Sequence, residues 1–198
     1  VFLDWFRGKT RDTTNDPRPD AIRLNLGCGD KKLKGYLNVD IAESRKGIVP
    51  DILCDIQKTI FEDNYADEVL SVHTIEHFYY WEAKAVILEW KRILKPGGKL
   101  ILECPNLLKA ARAFAKNPAQ ASLPGKEGQM TMWVFYGDPS WKDPLMCHKW
   151  GYTPQSLMVL LKECGLVDVR QEKALFKKRE LRDMRVTAVK PREPSDAS

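Results

Sequence analysis

Two groups of residues in this chain have the types and spacing to do chemistry. The first is Gly27-Cys28-Gly29 followed by Asp40. The glycines leave the end of the apolar stretch IRLNL without side chains, so backbone can approach a ligand closely and adopt positive φ. Asp40 ends the next apolar stretch, YLNVDI, where its carboxylate can accept hydrogen bonds from both hydroxyls of a ribose. The second group is built on histidine. Of the three histidines, His73 and His77 flank Glu76 in HTIEH, and His148 closes a long aromatic segment. If HTIEH turns helically, His73, Glu76 and His77 share one face through three- and four-residue spacings. An imidazole with an ordinary pKa near ~6.5 is suited to taking a proton close to neutrality. His77, His148 and Glu76 are therefore the candidate catalytic residues. The bland alternative has Glu76 capping a helix and the histidines packing or touching a cofactor.

A dinucleotide would ask for more than this turn provides. Its fingerprint needs a third glycine at position 32, which is Lys32, and an acid about 20 residues further on. Asp40 comes eleven positions after Gly29, too soon for a full crossover helix whose N-terminus would cradle a pyrophosphate. The turn suits a ligand without phosphate.

These residues must be positioned by the elements that precede them. IRLNL (22–26), YLNVDI (36–41), DILCDI (51–56), DEVLSVH (67–73) and KLILECP (99–105) read as strands. Between the last two, Ala85, Val86, Leu88, Ile93 and Leu94 recur at helical spacing from Trp81 to Leu94, and Pro96-Gly97-Gly98 stops the helix. LLKAARAFA from Leu107 is helical, while 123–150 reads as an irregular, aromatic-rich stretch, long enough to be a lid. Thr153 caps a helix that opens on Pro154 and ends at Gly165. LVDVRQE and LRDMRVTAVK read as a closing antiparallel hairpin. The basic run KKRELRDMR at 177–185 reads as a strand exposed on one side. Strands alternating with helices give an α/β fold: a doubly wound, mostly parallel seven-stranded sheet with a C-terminal antiparallel hairpin. The expected organisation is an N-terminal strap over 1–20, one domain over 21–190 with a lid at about 107–150, and a tail over 191–198.

Composition narrows the class. With 198 residues, 43% hydrophobic and 30% charged, the chain fits one globular domain. A net charge of +5 is spread along the chain, so solvated surface charge is favoured over a dedicated nucleic-acid face. Five cysteines without a CxxC pair argue against a disulfide framework and for a cytoplasmic setting. No apolar run reaches the ~20 residues of a membrane span, so no membrane partner is expected; VFLDWFRGKT could form a short docking helix.

LNLGCGDKKLKGYLNVDI, PDILCDI, DEVLSVHTIEHF and the helix leading to RILKPGGKLILECPN together resemble the successive motifs of class I S-adenosylmethionine-dependent methyltransferases. HKWGYTPQSLMVLLKECGL is similar to the late segment of small bacterial type 11 methyltransferases. The resemblance implies a Rossmann-like methyltransferase fold and S-adenosylmethionine as cofactor. It places Gly27, Cys28 and Gly29 along the methionine portion and Asp40, with Ile41 beside it, at the ribose. Asp55 and Ile56 fall at the adenine and His73 beside the sulfonium. Asn25 stands where the family carries an acid, and Lys31 where it carries its third glycine. HTIEH is also similar to the EVIEH-like stretch of small-RNA 2′-O-methyltransferases, which bind a metal there. That similarity makes Glu76, His77 and His148, with His73 as a further candidate, potential ligands of a divalent metal. A nitrogen-rich set favours zinc, iron, cobalt or manganese over magnesium.

The aromatics Tyr79, Tyr80, Trp81, Trp133, Phe135, Tyr136, Trp141, Trp150 and Tyr152 are expected to wall an acceptor pocket. The function expected from this reading is O-methylation of a small molecule or glycan. The alternatives are a metal-dependent RNA or nucleotide ribose methyltransferase and a non-catalytic S-adenosylmethionine-binding module.

Overall fold

The computed structural model describes residues 20–44, 46–119, 126–176 and 183–192. The expected N-terminal strap and docking helix, the basic residues 177–182 and nearly all of the tail lie outside them. Seven strands form one sheet: β1 (Arg23–Leu26), β2 (Leu37–Asp40), β3 (Ile52–Leu53), β4 (Ala66–Val72), β5 (Leu94–Pro105), β6 (Val167–Glu172) and β7 (Asp183–Val189). Their order is β3-β2-β1-β4-β5-β7-β6. β1 to β5 run parallel, and β7 is antiparallel to both β5 and β6. Strand order reverses between β1 and β4, which is where a doubly wound sheet opens a crevice at its carboxyl edge. Leu24, Leu26, Val39, Val69, Leu70, Leu100 and Leu102 are buried in the middle of the sheet. Strands buried on both faces read as near-continuous apolar runs for that reason.

Four helices complete the described fold: α1 (Tyr80–Ile93), α2 (Leu107–Lys116), α3 (Lys126–Tyr136) and α4 (Pro154–Glu163). The Glu82 carboxylate accepts a hydrogen bond from the Tyr79 amide at 2.8 Å and so closes the start of α1. Thr153 Oγ1 accepts from the Ser156 amide at 3.1 Å ahead of Pro154, the cap expected for α4. Among the described residues, no helix is long and apolar enough to cross a membrane.

Several expectations are corrected. The buried face of α1 is Ala83, Val86, Ile87, Trp90 and Ile93, whereas Ala85 and Leu88 face outward. Trp90 sets that phase: it is fully buried and its indole donates to the Ile56 carbonyl at 2.8 Å. β5 begins at Leu94, directly after α1, because Leu94 pairs with Ala66 and a bulge restores register before Lys99. Pro96-Gly97-Gly98 therefore lies inside the strand, with the Gly97 amide donating to the Lys190 carbonyl. β3 is shorter than expected, at two residues. The segment after residue 125 is not irregular: α3 is followed by 3-10 turns at Pro139–Trp141 and Pro144–Met146. Asp138 and Asp143 cap those two turns. β7 is buried almost throughout rather than exposed on one side, since β5 and β6 flank it. Arg185 is accommodated there by an ion pair to Glu103 at 2.8 Å.

Candidate functional site

The turn after β1 and the turn after β4 meet at the switch point. Gly27 has φ +72, and its amide, like that of Cys28, donates to the Val39 carbonyl. A Cβ on Gly27 would collide with Thr74 Oγ1 and stand 2.7 Å from Thr74 Cγ2. The first glycine is thus required by a protein neighbour, Thr74, which the sequence reading did not single out. Gly29 differs. It has φ +48, and nothing lies within 4 Å of where its Cβ would be, so it borders open space.

The Asp40 carboxylate closes this turn. Its Oδ2 accepts from the Gly29 amide at 2.7 Å and its Oδ1 from the Ile41 amide at 2.8 Å. Each oxygen keeps a second lone pair for a hydroxyl. Ile41 and Leu53 are both 61% exposed and flank Asp40, Leu53 through direct pairing of β2 and β3. An acid with free lone pairs between two uncovered apolar side chains, beside an open glycine, fits a nucleoside. Leu53 was not expected there. Ile56 was, but its side chain belongs to the core. Asp55 caps the Gln57 amide at 2.8 Å, a turn-forming role. Asn25 is buried, and its amide donates to the Lys31 carbonyl and to Asn38 Oδ1, so it shapes the turn from beneath. Cys28 is buried as well; burial, then Asp40 and Asp51, push its thiol up to about 11.

His73, expected beside the sulfonium, stands directly after β4. Its backbone is left-handed, φ +55, and its ring turns inward between two carboxylates. Nδ1 lies 3.2 Å from Glu76 Oε1 and Nε2 lies 3.0 Å from Asp183 Oδ1. Both carboxylates are nearly sealed from solvent. Asp183, at the start of β7, is a residue for which the sequence carried no signal, because β7 reaches this place only through the sheet order.

Ile75–His77 forms a single 3-10 turn rather than the helical turn that would set His73, Glu76 and His77 on one face, and His148 comes in over Glu76 and His77 from the segment after α3. The chain around residue 148 is tied to that turn: the amides of Lys149 and Trp150 donate to the Glu76 carbonyl at 2.8 and 3.3 Å. His77 Nδ1 is 3.1 Å from the Cys147 carbonyl, and His148 Nδ1 is 3.0 Å from the Val134 carbonyl. A carbonyl oxygen only accepts, so each Nδ1 carries the hydrogen and each Nε2 keeps its lone pair. The two rings are 5.1 Å apart and meet edge-on, and His148 Nε2 is 3.9 Å from Glu76 Oε1. Burial works to raise the Glu76 pKa, but His73 first and then His77 and His148 hold it down at about 2. Burial lowers the pKa of His148 below 6.5. The result is an ionised, buried Glu76 carboxylate close to a His148 ring that burial keeps toward its neutral, proton-accepting form. Glu76, His77 and His148 can each offer one ligand atom, all within 4.8 Å of one another. Both Glu76 oxygens lack a well-directed hydrogen bond. That donor set fits a divalent cation.

A cavity of about 270 Å³ opens beside His148, lined by Leu107, Phe135, Tyr136, Lys149, Trp150 and Gly151. Tyr80 packs against Trp150 at 4.8 Å, Tyr79 stacks on Trp81 at 4.6 Å, and Lys149 Nζ sits 5.0 Å above the Tyr79 ring. Of the expected aromatic wall, Phe135, Tyr136 and Trp150 line the cavity directly. Tyr152 does not, because it is buried in the core.

Residues 24–102 match the family model described as a methyltransferase domain. The chain is 28% identical over 125 residues to a probable tRNA methyltransferase 9B of Mus musculus, covering 54% of this chain and 27% of that protein. It is 41% identical over 58 residues to the ubiquinone/menaquinone biosynthesis C-methyltransferase UbiE of Cupriavidus taiwanensis, covering 29% and 23%. The chain thus spans about a quarter of the length of these curated relatives. A solved S-adenosylmethionine-dependent methyltransferase from Methanosarcina mazei superposes with a TM-score of 0.61 at 20% identity, over 89% of this chain and 95% of that one.

Proposed function

We propose that this chain is a class I S-adenosylmethionine-dependent methyltransferase similar to the small type 11 proteins, and that it transfers the methyl group to a hydroxyl oxygen of a small molecule or glycan; the match of residues 24–102 to a methyltransferase domain supports the first part. The observation that carries the proposal is the Nε2 lone pair of His148, a residue that lines the cavity, with the His77 ring 5.1 Å from it. An oxygen acceptor must lose its proton during transfer, whereas a soft sulfur or amine acceptor has less need of a base.

S-adenosylmethionine, when bound, supplies an electrophilic methyl group on a sulfonium. Asp40 would accept hydrogen bonds from the ribose hydroxyls, and the Gly27-Cys28-Gly29 turn would line the methionine portion. Ile41 and Leu53 would cover the adenine, with Asp55 at its edge. His148 would take the acceptor's hydroxyl proton at Nε2, with His77 beside it. Glu76 would stabilise the imidazolium so formed, as a buried carboxylate does for a base that it faces. Leu107, Phe135 and Trp150 would exclude water and hold the acceptor in line; such positioning is worth roughly 7–11 kcal/mol of barrier.

The test is incubation of the purified chain with methyl-labelled S-adenosylmethionine and a panel of sugars, phenols, nucleotides and small RNAs. Label is expected in a hydroxyl of the first two classes, and His148→Ala should abolish it. Label confined to amines or carbon would refute the assignment to oxygen.

A second reading is favoured by the convergence of Glu76, His77 and His148 within 4.8 Å. On that reading these residues hold a divalent metal that orients an RNA or nucleotide ribose hydroxyl, and zinc, iron, cobalt or manganese suit the nitrogen-rich set. The backbone carbonyls on both Nδ1 atoms are the outer partners such ligands use. Elemental analysis after chelator-free purification separates the two readings: one equivalent of metal, lost in His148→Ala, supports this one.

A further inference from the structure

The closing hairpin reaches into the site. We propose that Asp183 is a positioning residue that holds Glu76 toward His77 and His148 through the ring of His73. The inference rests on the reading of Glu76, His77 and His148 as the working groups. It names what keeps them in place.

Three observations carry it. His73 is a histidine in the left-handed region, at φ +55, a conformation that non-glycine residues keep only where the surroundings impose it. Its amide donates to the Glu103 carbonyl at 2.7 Å, which ties the turn to the end of β5. The ring then spans two carboxylates from opposite sides, Glu76 at 3.2 Å and Asp183 at 3.0 Å, with His73 only 10% exposed. Finally, both carboxylates are almost fully buried, where a charge is tolerated only if it is paired. A single ring lies within ion-pair distance of both, although neither contact is a well-directed hydrogen bond. If Asp183 loses its charge, the ring is no longer drawn toward β7, and the carboxylate of Glu76 loses the contact that directs it.

β7 and β5 frame this arrangement rigidly. Asp183 pairs with Pro105 in the sheet, and two residues along, Arg185 is locked by Glu103 at 2.8 Å. Among the described residues no hydrogen bond or ion pair joins Asp183 to His77 or His148, and its ion pair runs to His73, so an effect of its substitution on them is expected to pass through His73 and Glu76.

The chain contains three histidines, so long-range proton–nitrogen spectra of the imidazoles resolve every ring. They are recorded at one pH for the full chain, Asp183→Asn, His73→Asn and Glu76→Gln. Asparagine tolerates a left-handed backbone, so His73→Asn removes the bridge without straining the turn. The expected result is that Asp183→Asn and His73→Asn each shift the ring nitrogens of His148 and His77 in the direction produced by Glu76→Gln. Movement of the His73 signals alone in Asp183→Asn would overturn the proposal. Where Asp183→Asn does not fold, unchanged His77 and His148 signals in His73→Asn would overturn it instead.

Calorimetry with S-adenosylhomocysteine is run on the same samples. Affinity within about twofold of wild type is expected in Asp183→Asn, because Asp183 makes no hydrogen bond or ion pair to Asp40 or the glycine turn among the described residues. A parallel loss of that affinity would mark a general collapse of the site and also overturn the proposal. Failure of the wild type itself to bind would sink the methyl-transfer reading, while the histidine spectra would still decide this one.

Discussion

Replacing Gly27 by alanine tests the geometry of the switch point directly. The backbone there has φ +72, a region that costs an L-residue about 1–2 kcal/mol. The added methyl would also meet Thr74, at 2.7 Å from Cγ2 and closer still to Oγ1. Forcing one methyl into a packed interior costs typically ~1–3 kcal/mol. The two effects arise independently, so Gly27→Ala should destabilise the fold by about 2–5 kcal/mol. Urea unfolding followed by circular dichroism gives that number. A double-mutant cycle separates the causes: with Thr74→Ala in the background, the steric part should shrink and leave the conformational part. The coupling energy should therefore be roughly 1–3 kcal/mol. Additivity, or a Gly27→Ala cost below about 1 kcal/mol, would refute the claim that this glycine exists to admit Thr74. Gly29→Ala is the matched control, since open space surrounds its missing Cβ. It should cost only the backbone strain of about 1–2 kcal/mol.

Asp40→Ala should weaken S-adenosylhomocysteine binding by at least about 2 kcal/mol, roughly 30-fold, because charged hydrogen bonds to the ribose are lost; unchanged calorimetric affinity would remove Asp40 from the site. Arg185→Ala leaves the buried Glu103 without its cation, held only by the amides of Leu175 and Phe176, so unfolding should show a loss of up to about 3–5 kcal/mol. Glu89 accepts from Arg92 and from Thr59, and these contacts, Arg92 first, lower its pKa from 4.5 to about 2. A carboxylate depressed in the folded state stabilises above its unfolded pKa, and that share is lost as pH falls from about 4.5 toward 2. Glu89→Gln should flatten the acid limb of stability in that window, and an unchanged limb in an acid titration would show that the contacts are not held in solution.

The legible part of this protein was local. Strand and helix periodicity, the proline-led cap at Thr153 and the glycine turn each depend on residues a few positions apart, so the seven strands, α1, α2 and α4 could be read in order. The Gly27-Cys28-Gly29 turn and Asp40 were legible for the same reason, as successive strand ends, and so was the nearness of Glu76 to His73 and His77 along the chain. The helical state of α3 was not, because its aromatic, glycine-containing sequence has weak local preference and α2 supplies the packing partner. The phase of α1 likewise depended on Trp90 finding the Ile56 carbonyl.

Sequence by itself determined which side chains could act: three histidines, one glutamate among them, and an acid after a glycine turn. Tertiary structure alone decided what each one faces. Thr74 against Gly27, Leu53 beside Asp40 and Asp183 behind His73 are products of strand order, and His148 over Glu76 is the product of a loop tied to the turn after β4. Spacing along the chain cannot encode them, because the sheet brings together strand ends that the sequence keeps far apart.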